Sequence, residues 1–151
     1  MPDTHAQNPL FQLFNEIGII AQLSRAMVEA RMPPGILASQ FAVLNHLVRV
    51  RDGRSPLELA RAFQVPKTTM THTLATLEKL GFVRQAPNPG DGRSKCIWLT
   101  EAGAAFRQTT IAALGPDFAA LGERLPVDEL LALLPTLTRL RQVMDARRSE
   151  G

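Results

Sequence analysis

The chain has 151 residues, 45% of them hydrophobic, and carries 17 lysines and arginines against 14 acidic residues, for a net charge of +3. This length fits one domain, and the composition is that of a globular protein and not of a disordered one. A single cysteine excludes a disulfide framework or a cysteine-rich zinc site within one chain, and no apolar run reaches the roughly 18 residues that a membrane span needs.

The N-terminal segment, Met1 to Asn8, is polar and has no basic stretch leading into an apolar run. We therefore expect no secretory signal and a cytoplasmic location. His5 lies here, far in the sequence from His46 and His72. No spacing of metal-ligating residues suggests a metal site, and no cofactor is expected.

The first predicted helix spans Pro9 to Ala30 and is apolar on more than one side. Leu10, Phe14 and Ile17 fall near one face, and further apolar residues fill much of the remainder. Such a helix has to be covered on more than one side, which favours a second subunit. A break at Met32-Pro33-Pro34-Gly35 precedes a second helix, predicted from Leu37 to Val50.

A pair of short helices is predicted in the middle of the chain. Ser55-Pro56-Leu57-Glu58 has the pattern of a capping box with proline at the first helical position. Val65-Pro66 opens the next helix, which is expected to run to Leu80 and to stop at Gly81. The residues predicted to face the core are Leu57, Leu59, Ala60 and Phe63, then Met70, Leu74, Leu77 and Leu80.

The pair Ser55 to Leu80 has the spacing of a helix-turn-helix, whose second helix can enter the major groove of DNA. The face of that helix opposite its apolar stripe is small, polar and basic. Its lysine and hydroxyls can contact phosphates or base edges, and the helix N-terminus favours phosphate. The predicted DNA contacts from this pair are Ser55, Lys67, Thr68, Thr71 and His72.

A β-hairpin is predicted next, from strands over Phe82 to Gln85 and Lys95 to Thr100. The intervening residues 86–94 are rich in turn formers, so a long tip is expected. Arg93 and Lys95 would reach an adjacent groove, where narrow A·T-rich DNA attracts arginine.

The C-terminal part is predicted to be helical, beginning with Thr100 as an N-cap. Gly115-Pro116 should kink or interrupt this helix, and Leu125-Pro126 should start the last one. Pro135 lies inside that last helix and should bend it near the carbonyl of Leu131. Its broad apolar face includes Leu130, Leu134 and Leu137.

The excess positive charge lies in the same middle part of the chain. Residues 51–95 hold eight basic and four acidic residues, whereas residues 1–50 are neutral and residues 96–151 carry −1. A polyanionic partner would therefore meet the helix pair and the hairpin.

Together these segments resemble the multiple-antibiotic-resistance-regulator (MarR) family of winged helix-turn-helix transcription factors. The resemblance rests on Leu59-Ala60, on Val65 with Thr69-Met70-Thr71, on residues 77–83 (LEKLGFV), on residues 88–94 (NPGDGRS) and on residues 99–103 (LTEAG). It covers nearly the whole chain.

The resemblance implies a mostly α fold with a small β-hairpin wing, forming a single domain over residues 1–151. Residues 51–100 would be the DNA-binding module, and helices in residues 9–50 and 101–148 would interleave in a homodimer. The implied partner is a pseudo-palindromic operator in double-stranded DNA. Arg93 would enter the minor groove, and Asp91 would hold the wing loop in shape.

Three residues depart from the pattern of the family. Gln64 stands where glycine is frequent, at a position expected to be left-handed and slightly strained. Pro66 replaces the usual serine or threonine cap, and Gly92 replaces a frequent second wing arginine.

The function predicted from the sequence is a sequence-specific transcriptional regulator, a homodimeric repressor whose DNA binding a small ligand relieves, and not an enzyme. The alternatives are a winged-helix module used only for protein assembly and an oxidation-sensing regulator that would use Cys96. His46 is interpreted as a satisfied, semi-buried residue. Met27, Met32, Phe41 and Trp98 are read as core more readily than as an effector cavity.

Overall fold

The computed structural model describes residues 8–150 and divides into two compact units, Met1–Leu114 and Gly115–Gly151. The predictions made for the N-terminal segment, including His5, lie outside the described residues. The first unit contains α1 (Pro9–Glu29), α2 (Ala38–Arg49), α3 (Pro56–Phe63), α4 (Lys67–Lys79), β1 (Val83–Asn88), β2 (Asp91–Leu99) and α5 (Glu101–Ala113). The second contains α6 (Gly115–Arg124), α7 (Val127–Leu131) and α8 (Leu134–Ser149). The predicted fold class, mostly helical with one hairpin, is confirmed.

Local capping explains where the helices begin. The Ser55 hydroxyl accepts a hydrogen bond from the N–H of Glu58 at 3.1 Å, and the Glu58 carboxylate accepts from the N–H of Ser55, which is the predicted capping box. The Thr100 hydroxyl caps α5 by accepting from the N–H of Gly103. Gln64 ends α3 with φ 54°, so the expected left-handed position is confirmed without a glycine.

The core of the first unit joins α2, α3, α4 and the base of the hairpin. Its fully buried large side chains are Val43, Leu44, Leu59, Leu74, Leu77 and Ile97. Two predicted core residues are exposed: Leu57 at 43% and Leu80 at 40%. Leu57 lies about 200° around the helix from Leu59, so it faces away when Leu59 faces inward. Leu80 lies at the C-cap of α4, where the chain leaves the helix.

The hairpin is longer than predicted, and its tip is correspondingly shorter. The antiparallel pairing starts at Val83 with Leu99 and continues to Asn88 with Asp91, with an irregular register after Pro87. The Asn88 side chain accepts from the N–H of Gly90 and donates to the Ser94 hydroxyl, each at 3.0 Å. The prediction of a nine-residue tip was wrong because these side-chain bonds close a tight turn and let the strands pair across most of it.

The second unit also corrects one expectation about proline. Pro135 does not bend a continuous helix, because α7 ends at Leu131 and α8 begins at Leu134, with Pro135 in its first turn. Proline has no N–H to donate to the Leu131 carbonyl, and in a continuous helix its ring would clash with that carbonyl. The first turn of a new helix needs no such hydrogen bond, so proline is tolerated there. The predicted interruption at Gly115-Pro116 is confirmed, since α5 ends at Ala113.

Among residues 8–150, no helix combines the length and the apolar character that crossing a membrane requires.

Candidate nucleic-acid interface

The rotation of α4 about its axis is set by its buried stripe of Met70, Leu74 and Leu77. Packing of this stripe into the core turns the opposite face of the helix to solvent. The exposed residues on that face are Lys67, Thr68, Thr71, His72, Ala75 and Lys79. The structure therefore brings the four predicted contact residues of this helix onto one polar, basic surface.

The threonines of α4 are of two kinds. The hydroxyls of Thr73 and Thr76 donate to the carbonyls of Thr69 and His72, one turn earlier, at 3.1 and 3.2 Å. Thr68, Thr69 and Thr71 are exposed, and no bond from their hydroxyls is seen within the described chain. The exposed threonines therefore have hydroxyls that are fully available to DNA, whereas those of Thr73 and Thr76 are already bonded. The sequence did not indicate this difference.

The N-terminus of α4 is left open. Pro66 is the N-cap and supplies no side-chain hydrogen bond, and the first turn contains no acidic residue. The first N–H groups of the helix therefore point outward beside Lys67, an arrangement that favours a phosphate. Ser55 differs, because its hydroxyl oxygen already accepts from Glu58 within the capping box.

The wing carries Arg93 and Lys95 as exposed side chains on β2. The Asp91 carboxylate accepts a hydrogen bond from the N–H of Arg93 at 3.0 Å. The Ser94 hydroxyl donates to the carbonyl of Asp91. These short bonds hold the backbone that presents the Arg93 side chain.

The base of the wing is braced by residues 52–54, which precede α3. Arg54 forms a β-bridge with Ile97, in which the Ile97 N–H donates to the Arg54 carbonyl at 2.8 Å. The Asp52 carboxylate accepts from the N–H groups of Gly53 and Leu99, at 3.0 and 2.9 Å. The hairpin is thus tied to the linker between α2 and α3.

Gly53 and Trp98 fit together closely at this base. Gly53 has φ 72°, and a Cβ there would lie 2.5 Å from the Trp98 ring. The Arg84 guanidinium lies over the same ring at 5.8 Å from its centroid. Trp98, weighed earlier as a cavity residue, therefore packs against glycine and arginine, while Met32 is buried and Met27 and Phe41 are half-buried.

His46 is 9% exposed and contacts Arg54, so it is satisfied as interpreted but more deeply buried than the semi-buried position expected. Its Nε2 lies 3.0 Å from the Arg54 guanidinium, and its ring packs against Phe63 at 5.3 Å between centroids. Burial, together with the positive charges of Arg54 and Arg49, lowers the pKa of His46 below its ordinary value.

Glu58 connects the two arginines of the same linker. Its carboxylate accepts from Arg51 at 2.9 Å and from Arg54 at 3.3 Å. Burial acts to raise the pKa of Glu58, but the N–H of Ser55 and the charges of Arg51 and Arg54 outweigh it and hold that pKa below its ordinary value.

Cys96 is 7% exposed. A thiol shielded in this way is a poor target for oxidants, so its surroundings do not favour the oxidation-sensing alternative. Within residues 8–150, no cluster of three or more histidine, cysteine or acidic side chains is placed to hold a metal ion.

The two units each leave apolar helix surfaces uncovered. No residue of α1 is buried: Leu10 and Phe14 are exposed, and Ile17 is half-buried. In the second unit, considered by itself, Leu134 and Leu137 are exposed and Leu130 is half-buried. Exposed apolar surface on this scale is typical of an interface.

The chain is similar in sequence and in fold to proteins of one family. The family model described as the MarR family matches residues 35–94. The multiple antibiotic resistance protein MarR of Escherichia coli (strain K12) is 32% identical over 130 residues, covering 80% of this chain and 90% of that protein. A mutant of MarR from E. coli, solved in complex with operator DNA, matches with a TM-score of 0.70 at 28% identity, covering 91% of this chain and 98% of the other. A structure of the multiple antibiotic resistance repressor MarR matches with a TM-score of 0.71 at 30% identity, covering 88% and 95%.

Proposed function

The chain belongs to the MarR family of DNA-binding transcriptional regulators, and on that premise we propose that it represses transcription as a homodimer bound to a pseudo-palindromic operator, until a small ligand releases it. The observation that carries this proposal is the exposed face of α4 beside the braced wing with Arg93. Repression and operator binding are further supported by relatives named as a repressor and solved with operator DNA.

In this proposal the contacts divide by role. Thr68, Thr71 and His72 read base edges in the major groove, and Lys67 binds phosphate at the open N-terminus of α4. Arg93 enters the adjacent minor groove with Lys95 near the backbone, and Asp91 shapes the loop that presents them. Ser55 contributes at most its hydroxyl proton, because its oxygen is engaged by Glu58.

The domain assignment is likewise proposed: residues 51–100 form the DNA-binding module, and helices in residues 9–50 and 101–148 dimerise. The uncovered surfaces of α1 and of α7–α8 support dimerisation. Within the first unit α2 has a second role, because Val43, Leu44 and Leu47 complete the core on which the module rests. Two modules on one dimer would meet two half-sites, as DNA palindromy requires.

Release by a ligand would follow from linkage. A ligand that binds more tightly to a dimer whose recognition helices are wrongly spaced must weaken DNA binding by the same coupling free energy. We also propose a regulatory role without catalysis, and action in the cytoplasm, which holds the DNA in bacteria such as the source of the relatives.

A gel shift with pooled genomic fragments tests the proposal directly. A salt-sensitive shift with selected fragments is expected, because phosphate contacts release counterions. If the folded dimer shifts no fragment at any salt concentration, the regulator proposal fails and the assembly-module alternative gains. A screen for hydrolase or transferase turnover at micromolar protein tests the absence of catalysis.

Arg93→Ala is expected to weaken binding by roughly tenfold at operators with A·T-rich flanks, and less at G·C-rich flanks, because narrow minor grooves attract arginine. Fluorescence anisotropy with two duplexes that differ only in their flanks measures this difference. Arg139→Ala removes a charge of the same sign from an exposed position on α8 and serves as the control. Equal affinity of wild type and Arg93→Ala across both flanks would show that the wing role is wrong.

Thr71→Ala and His72→Ala are expected to change the preferred DNA sequence, because both exposed side chains lie on the reading face of α4. Lys79→Ala should lower affinity evenly across sequences and reduce the salt dependence, as loss of a phosphate contact does. Selection from random DNA with each variant separates the two outcomes. Thr76→Ala is the matched control, since its hydroxyl already bonds to the His72 carbonyl.

A further inference from the structure

Arg54 connects the wing with α2 and α3. Its carbonyl accepts from the N–H of Ile97 at 2.8 Å, which adds the linker to the edge of the wing. Its guanidinium lies 3.0 Å from His46 Nε2 on α2 and 3.3 Å from the Glu58 carboxylate on α3. The backbone of this residue therefore orients the wing, while its side chain is held by the two helices.

The contact with His46 defines the protonation state of the imidazole. A guanidinium can only donate hydrogen bonds, so Nε2 has to be the unprotonated, accepting nitrogen. The imidazole is therefore neutral, with its proton on Nδ1. Protonation of Nε2 would place two N–H donors and two positive charges face to face at the 3.0 Å that now separates Nε2 from Arg54.

The surroundings offer little to compensate that repulsion. Arg49 on the same helix adds a second positive charge that acts on His46. On the neighbouring elements, Glu29 of α1 accepts from the N–H of Ala38 and Arg107 of α5 donates to Asn45, so both are engaged elsewhere. The Glu58 carboxylate of α3 lies against the Arg54 guanidinium itself and is shared with Arg51. The charged side chains of α4 and β2 are exposed: Lys67, Glu78 and Lys79, then Asp91, Arg93 and Lys95.

We propose that Arg54 is a positioning residue for the wing and that protonation of His46 displaces the Arg54 guanidinium. As a result, DNA binding weakens as the solution is acidified. The proposal rests on the proposed function, in which the wing contacts DNA through Arg93. Displacement of the guanidinium loosens the Arg54 to Ile97 bridge and with it the base of the hairpin.

The direction of the pH effect follows from the contact itself. The DNA-competent form of the protein contains neutral His46, so the affinity for DNA has its full value above the ordinary pKa of histidine, about 6.5. Affinity falls as the pH drops through the pKa of His46 in the fold, which burial and the two arginines hold lower. By reciprocity, DNA binding lowers the pKa of His46 further.

The central experiment compares wild type with His46→Gln between pH 7.5 and pH 5. The glutamine amide oxygen can accept from Arg54 but does not titrate, so the variant should bind as tightly as wild type at pH 7.5. The probe is a fluorescein-labelled duplex recovered by selection from random DNA, measured by anisotropy at constant ionic strength. Wild type should lose roughly fivefold or more in affinity relative to His46→Gln at the acidic end. Because His72 is present in both proteins, the contribution of that side chain to DNA binding cancels in the ratio.

A second measurement does not depend on DNA. The ¹⁵N chemical shifts of the His46 ring report its tautomer, and amide hydrogen exchange of Ile97 reports the bridge to Arg54. We expect the Nδ1–H tautomer, with exchange of the Ile97 N–H that accelerates on acidification relative to its intrinsic rate. Arg54→Lys should show the rapid exchange already at pH 7.5, since one ammonium does not reproduce the guanidinium fork.

Parallel loss of affinity in wild type and His46→Gln would overturn the proposal, as would an Nε2–H tautomer or pH-independent exchange of Ile97. Failure of the wild type to bind any duplex at pH 7.5 would instead refute the proposed function. In that case, or if His46→Gln does not fold, the chemical-shift and exchange measurements on wild type still decide whether His46 controls the bridge.

Discussion

Phe14→Asp is expected to convert the protein into a monomer whose affinity for a two-half-site operator is lower by about a hundredfold or more. Phe14 is 41% exposed on a helix that buries no residue within its own chain, and it lies on the face with Leu10 and Ile17. A carboxylate at the centre of an apolar interface would lose its hydration without gaining a partner. Loss of the dimer removes the second binding event, which multiplies affinity by roughly 10² to 10⁴ when two modules are linked.

Sedimentation velocity gives the oligomeric state, and anisotropy with one-half-site and two-half-site duplexes separates dimerisation from base recognition. The one-half-site duplex should bind Phe14→Asp and wild-type modules similarly. Gln85→Glu, at an exposed position on β1 outside the proposed dimerisation helices, introduces the same charge and should remain dimeric. If Phe14→Asp stays a dimer with full operator affinity, the α1 surface is not the interface.

Gly103→Ala is expected to destabilise the fold by about 3 kcal/mol or more, a large fraction of the stability of a small domain. A Cβ at this position would lie 2.1 Å from the Phe82 carbonyl oxygen and 2.9 Å from the Phe82 carbonyl carbon. Both atoms are backbone at the entry to β1, so no flexible side chain can move aside. The first turn of α5 would have to retreat, which breaks the Thr100 N–H bond to the same carbonyl and separates the Phe82 and Phe106 rings.

Urea denaturation at a fixed protein concentration measures the change, because the stability of a dimer depends on concentration. Gly115→Ala is the matched control, since a Cβ at the start of α6 meets nothing within 4 Å. That change should be neutral or slightly stabilising, through the higher helix propensity of alanine. A stability of Gly103→Ala equal to that of the control would show that α5 does not pack closely against the hairpin.

Much of the fold and of the candidate site could be predicted from the sequence, because it is encoded by local signals. The capping box at Ser55, the stop at Gly81 and the stripe of Met70, Leu74 and Leu77 depend on residues close in sequence. The polar face of α4 follows from that stripe by helical geometry alone. The errors at Leu57 and at the hairpin tip are local as well. Leu57 lies about 200° from Leu59 around α3, and the bonds of Asn88 with Gly90 and Ser94 close a tight turn.

The sequence by itself determined the class of protein, the order of its elements and the polar face of the recognition helix, since periodicity, caps and turn residues act over a few positions. The tertiary structure alone decided how the wing is held. The bridge from Arg54 to Ile97, the fit of Trp98 on Gly53 and the bond from Leu99 to Asp52 join residues more than forty positions apart. It also decided that His46 meets a guanidinium and is therefore neutral. Contacts at such separation leave no periodic trace in the chain, because their free energy is gained only after the core has brought the two segments together.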